Sequence, residues 1–148
     1  MLISDLNQIP GRVYPARRRT QNLAGGAAPI QTKNFCMGYV TLKPDGGQVP
    51  WHNQEQEEVY FLVSGRAEMC LGREIRELSE GQAVYIPPGE FHQITNVSNQ
   101  PAIMIYVYGP AGDVAHWRQE LDGTLPRQGR EAPPLPTGAQ PQCVETEP

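Results

Sequence analysis

From residue 34 onward, short runs of apolar residues alternate with turn sequences at close and regular intervals. The gaps are rich in Gly, Pro, Asn and Asp, which supply the positive or preset φ values that tight chain reversals need. Many short strands of even spacing are typical of an all-β sandwich or barrel. The pattern predicts seven strands, at residues 34–42, 58–63, 67–71, 74–78, 83–86, 92–97 and 103–108.

One helix is predicted after the last strand, at residues 113–121. Val114, Trp117 and Leu121 recur there with helical spacing behind a Gly-Asp start. We expect this apolar face to pack on the outside of the barrel. His116 lies on the same helix, away from the segments that carry the candidate chemistry, and is expected to be an exposed surface residue.

The strand predicted at residues 103–108 belongs to a run, 102–108, that is apolar on both of its faces. A strand of this kind is covered by the core on one side and by a second layer or subunit on the other. We therefore expect a homodimer.

The chain of 148 residues is expected to form one domain. An N-terminal arm is predicted at 1–33, the barrel and its helix at 34–125, and a Pro-rich tail at 126–148. The tail has few large apolar groups, so by itself it could not offset the entropy of ordering. It is predicted to be disordered or clamped to a surface.

Composition narrows the choice of partners and compartment. The formal net charge of -4 leaves no excess of basic residues to bind nucleic acid. The only basic cluster, at 17–19, is expected to be a solvated segment. The chain start shows no secretory signal, the sequence has no membrane span, and three cysteines form no C-x-x-C pair. We expect a cytoplasmic protein that binds a small molecule, without nucleic acid or membrane partners.

Two segments, 46–65 and 81–96, hold most of the polar groups that could meet at one point. In an extended chain alternate side chains share a face, so His52 and Gln54 should point the same way. Glu58 can return to that face after the acidic turn. In the second segment, His92 begins a strand straight after a Pro/Gly turn and supplies a fourth donor.

The two segments resemble the paired signatures of the cupin superfamily, G-x5-H-x-H-x3-E-x6-G and G-x5-P-x-G-x2-H-x3-N. The first is matched at Gly46, His52, Glu58 and Gly65, and the second at Gly81, Pro87, Gly89, His92 and Asn96. Gln54 departs from the pattern, which has histidine there. The resemblance implies an all-β fold, a double-stranded β-helix (jelly-roll) barrel with one short C-terminal helix, and a metal inside the barrel.

By the same resemblance, the metal ligands are His52, Gln54, Glu58 and His92. An amide oxygen is a harder and neutral donor, so its replacement of an imidazole should lower affinity and shift selectivity. Gln54 has a second interpretation, a hydrogen bond to a metal-bound water. The cofactor is expected to be a divalent transition metal, and Zn, Mn, Fe and Ni stay open.

An open-sided metal of this kind favours an enzyme that acts on a small oxygenated molecule by Lewis-acid chemistry, as an isomerase, cyclase or lyase. Glu58, if it is not a ligand, is the candidate general base. Small cupins that the chain resembles include polyketide cyclases and sugar isomerases. Two alternatives remain: an Fe(II) cupin dioxygenase, since two histidines and a carboxylate also suit non-haem iron, and a non-catalytic small-molecule-binding cupin.

Overall fold

The computed structural model describes residues 1–143, which fold into two antiparallel β-sheets and one short α-helix. A 3-10 turn at Leu6–Gln8 precedes the strands. The strands are β1 (Arg12–Tyr14), β2 (Arg18–Ala24), β3 (Cys36–Leu42), β4 (Gln48–His52), β5 (Glu57–Ser64), β6 (Arg66–Leu71), β7 (Glu74–Ser79), β8 (Ala83–Ile86), β9 (His92–Asn96) and β10 (Ala102–Gly109). The helix α1 spans Ala115–Asp122. The predicted all-β fold with one short helix is confirmed.

The larger sheet has six strands in the order β1-β2-β3-β10-β5-β8. Along β3, β5 and β10, buried and more exposed positions alternate, as the two-residue period of a strand with one face on the core requires. Val40, Leu62 and Met104 point inward and are at most 2% exposed. They form the part of the hydrophobic core that the larger sheet contributes.

The smaller sheet has four strands in the order β4-β9-β6-β7. All five residues of β4 and all five of β9 are buried, because the barrel interior covers one face and the C-terminal tail covers the other. The register of β4 against β9 shifts between Val49 and His52: three residues on β4 span two on β9. This is a β-bulge, and because of it the side chains of Val49 and His52 point to the same face of the sheet.

All seven predicted strands are present, with ends that differ from the prediction by at most two residues. The sequence pattern missed β1, β2 and β4. The first two lie within the predicted N-terminal arm, where β2 pairs with β3 and extends the larger sheet. The interpretation of 17–19 as a solvated segment is wrong for Arg18, which is 1% exposed and forms an ion pair of 2.6 Å with Glu120.

Helix α1 begins two residues later than predicted and presents a different face. His116 and Glu120 are its buried residues, whereas Leu121 is 38% exposed. Val114 is buried just before the helix, and Trp117 packs against the core. The helix therefore docks through a polar pair flanked by these apolar contacts. The expectation that His116 is an exposed surface residue is wrong, because it is 7% exposed.

The Pro-rich tail is clamped along its described residues, 126–143, to the outer face of the smaller sheet. The indole N–H of Trp51 donates to Pro133 O at 2.9 Å, and Gln93 Nε2 donates to Gln140 O at 2.9 Å. Trp51, Cys70 and Ala132 form a second, smaller core beneath the tail. Residues 144–148 of the predicted tail lie outside the described residues.

None of the helices in residues 1–143 is long and apolar enough to cross a membrane.

Candidate functional site

The backbone orients His52 and places it inside the barrel. His52 is the last residue of β4, just after the bulge; it is 1% exposed and lies opposite His92 in the pairing of β4 with β9. Its Nδ1 lies 2.6 Å from Pro50 O. A carbonyl oxygen can only accept, so Nδ1 carries the proton and Nε2 keeps its lone pair. That Nε2 is buried without a hydrogen-bond partner.

His92 repeats this arrangement at the start of β9. Its Nδ1 lies 2.9 Å from Glu90 O, and its buried Nε2 again has no hydrogen-bond partner. The ring centroids of His52 and His92 are 4.1 Å apart. The two strands thus bring together two imidazoles, each with the tautomer fixed by a carbonyl two residues earlier. Orientation of this kind is typical of metal-binding histidines.

Glu58 enters the same group from β5 in the opposite sheet. Its side chain is 6% exposed, and Oε1 lies 3.4 Å from His92 Nε2, beyond the usual hydrogen-bond range. Burial, and then the neighbouring Glu58 carboxylate, hold the pKa of Tyr60 well above its usual value. The Tyr60 hydroxyl therefore stays protonated and can act only as a neutral hydrogen-bond partner of the carboxylate.

Gln54 lies in the loop between β4 and β5. Both amide atoms of its side chain are buried without a hydrogen-bond partner. Its backbone oxygen accepts from Gly89 N at 2.6 Å, which ties this loop to the Pro/Gly turn before β9. The two signature segments are therefore joined directly by a backbone hydrogen bond.

His116 is the site residue that the sequence interpretation missed. Its ring lies edge-on to His52 with centroids 3.8 Å apart, and both of its nitrogens are buried without a partner. Burial is the main reason that the pKa of each of these two histidines lies well below the usual value, so both imidazoles are neutral. The i, i+4 spacing of His116 and Glu120 was the available signal, but the apolar spacing of the same helix favoured another face.

Arg18 lies beside His116 and fixes the helix. Its guanidinium donates to Glu120 Oε2 at 2.6 Å and to Gln48 O at 2.8 Å, and it stacks on the Tyr14 ring. Glu120 Oε1 also accepts from Ala16 N at 3.0 Å. The polar groups of this buried pair are therefore engaged with each other and with the backbone.

A small cavity lies between Arg18, Glu58, Tyr60, Tyr106 and His116. Its volume is about 20 Å³, room for about one water molecule. Any substrate larger than this would need α1 or nearby side chains to move.

The side chains are packed more tightly than coordination allows. Among residues 1–143, no three His, Cys, Asp or Glu side chains already stand in an arrangement that could hold a metal ion. With metal–nitrogen distances of about 2.0–2.1 Å, adjacent imidazole centroids around one ion lie about 4.5–5 Å apart. The observed separations of 3.8 and 4.1 Å are shorter, so ion binding requires the rings to separate.

Comparison with known proteins identifies one domain family in this chain. The Cupin domain family matches residues 38–108. The uncharacterized protein SCO3923 of Streptomyces coelicolor is 38% identical over 82 residues, which cover 55% of this chain and 75% of that protein. The chain belongs to the cupin superfamily.

This cupin is also similar to dimethylsulfoniopropionate lyase DddQ of Ruegeria pomeroyi, with 30% identity over 101 residues. The match covers 68% of the cupin but only 45% of the lyase. In structure, the cupin is similar to a Cupin 2 conserved barrel domain protein from Salinispora arenicola, with a TM-score of 0.62 and 25% identity. That match covers 82% of this chain and 97% of the other, and it confirms the jelly-roll barrel.

Proposed function

We propose that this cupin is a metal-dependent enzyme in which His52, Gln54, Glu58 and His92 hold one divalent transition metal. The observation that carries the proposal is the set of buried nitrogen and oxygen atoms on these four side chains that have no hydrogen-bond partner. Buried polar groups are normally satisfied, and a cluster of unsatisfied ones needs an explanation. A cation accepts electron pairs from all four.

The chemistry of the donors fits such an ion. The tautomers of His52 and His92 leave a lone pair on each Nε2, and the lowered pKa of His52 keeps that imidazole neutral, the form that binds metals. Glu58 adds one negative charge. Two nitrogen and two oxygen donors suit Zn, Mn, Fe or Ni, so the donor set leaves the metal open. The ring movement needed is on the order of 1 Å.

We further propose that the reaction is non-redox, an isomerisation, cyclisation or elimination on a small oxygenated molecule. When bound, the ion would supply a Lewis acid that polarises an oxygen atom of the substrate. If Glu58 does not hold the ion, it is the candidate general base, and the protonated Tyr60 beside it can hydrogen-bond to that carboxylate. The similarity to DddQ, which is named a lyase, supports elimination within this group.

Metal content is the first test. The protein should be purified without chelators or nickel affinity, and its metal measured by mass spectrometry. We expect close to one equivalent of a divalent transition metal in the natural sequence, and loss of it in His52→Ala, His92→Ala and Glu58→Gln. Glu55→Gln is the matched control, because Glu55 is exposed in the same loop region and should leave the metal in place. A folded natural protein that binds no metal contradicts the proposal.

Oxygen consumption separates the reaction classes. Iron-loaded protein should consume no oxygen with small hydroxy-ketone, diketone or phenol substrates. Uptake that disappears in His92→Ala would instead establish the dioxygenase alternative. Protein that retains metal and a small ligand but converts none of the substrates tested would favour the binding cupin.

We also propose a homodimer formed through the outer face of the larger sheet. Val59, Phe61 and Val107 lie on that face and are 36%, 38% and 37% exposed. Val59 and Val107 are paired across β5 and β10, so their exposed side chains are contiguous. A second copy would cover this apolar strip.

A further inference from the structure

The family pattern calls for two histidines in the first signature, and this chain has only one, because position 54 is glutamine. Helix α1 brings another imidazole to the same place: the His116 ring lies 3.8 Å from that of His52. We propose that His116, on the C-terminal helix, is a metal ligand in place of Gln54, together with His52, Glu58 and His92. This inference rests on the proposed function, because it assumes that the site binds a metal.

A role for His116 in ordinary packing does not explain its surroundings. The ring is 7% exposed, and neither nitrogen has a hydrogen-bond partner. Arg18 is a nearby polar group, but it carries only donors and is engaged with Glu120 and Gln48 O. A neutral imidazole has one lone pair and one N–H, and burying either without a partner is costly. A cation shared with His52 would accept the lone pair and leave only the N–H to be satisfied.

The helix holds His116 in place without help from the ring itself. Glu120 follows His116 by one helical turn on the same face, and its carboxylate accepts from Arg18 and from Ala16 N. These bonds attach α1 to β2 and to the turn before it. The C-terminal end of the helix is closed by Gly123 in the left-handed conformation. Glu120 is thus a positioning residue, and replacing His116 should leave the docked helix intact.

The proposal changes the expected donor set. His52, His92 and His116 supply three nitrogens, and Glu58 supplies one oxygen. Gln54 is then free to hydrogen-bond a ligand or a bound water, the second interpretation of that residue. The helix thus supplies the nitrogen that the family pattern takes from position 54, which lies here in the loop between β4 and β5.

Copper(II) loading of the full chain tests the donor count. Electron paramagnetic resonance of the natural protein should show coupling to three imidazole nitrogens, and His116→Gln should show coupling to two. Zn²⁺ affinity, measured by competition with a chelator, should fall at least about 100-fold in His116→Gln, since loss of even an outer-shell partner costs about 10–100-fold. Glu120→Gln should weaken binding by about 10-fold through misplacement of the ring.

Asp122→Asn is the control on the same helix, because Asp122 is exposed at its last position, and this variant should match the natural protein in both measurements. Coupling to only two nitrogens in the natural protein overturns the inference. This measurement does not depend on whether any variant folds. An unchanged Zn²⁺ affinity in folded His116→Gln overturns it as well. If the natural protein binds metal through His52 and His92 but not His116, only this inference fails. If it binds none, the proposed function fails with it.

Discussion

His52 and His92 show how a residue type becomes a possible ligand through its backbone neighbours. Each ring is held by a carbonyl two residues earlier, at 2.6 Å from Pro50 O and 2.9 Å from Glu90 O. Pro50 lies within β4, and Glu90 follows the Pro/Gly turn before β9. They place an acceptor beside Nδ1, so that Nε2 faces the interior with its lone pair available.

Burial of neutral histidines predicts that the metal-free protein loses stability in mild acid. In the folded state the pKa values of His52 and His116 are well below the usual value for histidine. In the unfolded chain the pKa of a histidine is about 6.5. Below that pH the unfolded state binds protons that the folded state does not, so the free energy of unfolding falls as pH falls. The expected slope is up to about 1.4 kcal/mol per pH unit for each of the two residues.

Urea unfolding in the presence of a chelator, at pH values from about 7.5 to about 5.5, measures this slope. Above the unfolded pKa the two histidines should contribute no pH dependence. His116→Gln removes one of the two contributions and should flatten the curve. A natural protein whose stability is constant across this range would contradict the assignment of both rings as neutral and buried.

Among the elements, α1 is docked by a buried ion pair together with the apolar contacts of Val114 and Trp117. Arg18 and Glu120 are 1% and 4% exposed and lie 2.6 Å apart. Removing one member of a buried pair leaves the other charged and uncompensated, which costs more than the pair itself contributes. The N-terminus of the helix has no side-chain cap.

Glu120→Gln should therefore destabilise the protein by about 3 kcal/mol, measured by urea unfolding. Glu131→Gln is the matched control: Glu131 pairs with Arg127, but both side chains are more than half exposed. Solvent screens such a pair, and the control should change stability little. Equal effects of the two substitutions would show that the buried pair does not anchor α1.

On the scale of the whole molecule, the tail acts as a third layer over the smaller sheet. Besides Trp51 and Gln93, Gln48 takes part: its Oε1 accepts from Cys143 N at 2.6 Å, and its Nε2 donates to Pro141 O at 3.1 Å. Proline supplies carbonyl acceptors without donors of its own, which suits it to side chains such as the Trp51 indole.

A chain that ends at Leu125 should expose Trp51, which is fully buried in the intact protein. In a Trp117→Phe background, where Trp51 is the remaining tryptophan, its fluorescence should shift to longer wavelength. The same background with the intact tail is the control. Emission that does not move on truncation would mean that the tail does not cover this face.

The apolar outer strip of the larger sheet predicts a dimer in solution. Phe61→Glu places a charge in that strip and should give a monomer by light scattering coupled to size-exclusion chromatography. Ile75→Glu is the matched control, since Ile75 is 37% exposed on β7 of the other sheet. The dimer proposal is wrong if the natural protein is a monomer at micromolar concentration.

Much of the barrel could be predicted because its strands alternate with turn residues. The missed strands have specific causes: β2 carries Arg18, Thr20 and Gln21, all buried polar residues that mask its pattern, and β4 contains a proline and a bulge. The helix was predicted at nearly the right residues, but the face that it buries was predicted wrongly. Its apolar residues indicated one face, while a buried ion pair with a distant strand determined another.

The sequence by itself determined the family, seven of the ten described strands and the two segments that supply His52, Glu58 and His92. These features follow from local turn chemistry, strand periodicity and motif spacing, all of which are properties of neighbouring residues. Only the tertiary structure decided that His116 lies against His52, that Arg18 is buried and that the tail covers the smaller sheet. These depend on contacts between residues far apart in the chain, such as Arg18 with Glu120, for which local pattern carries no signal.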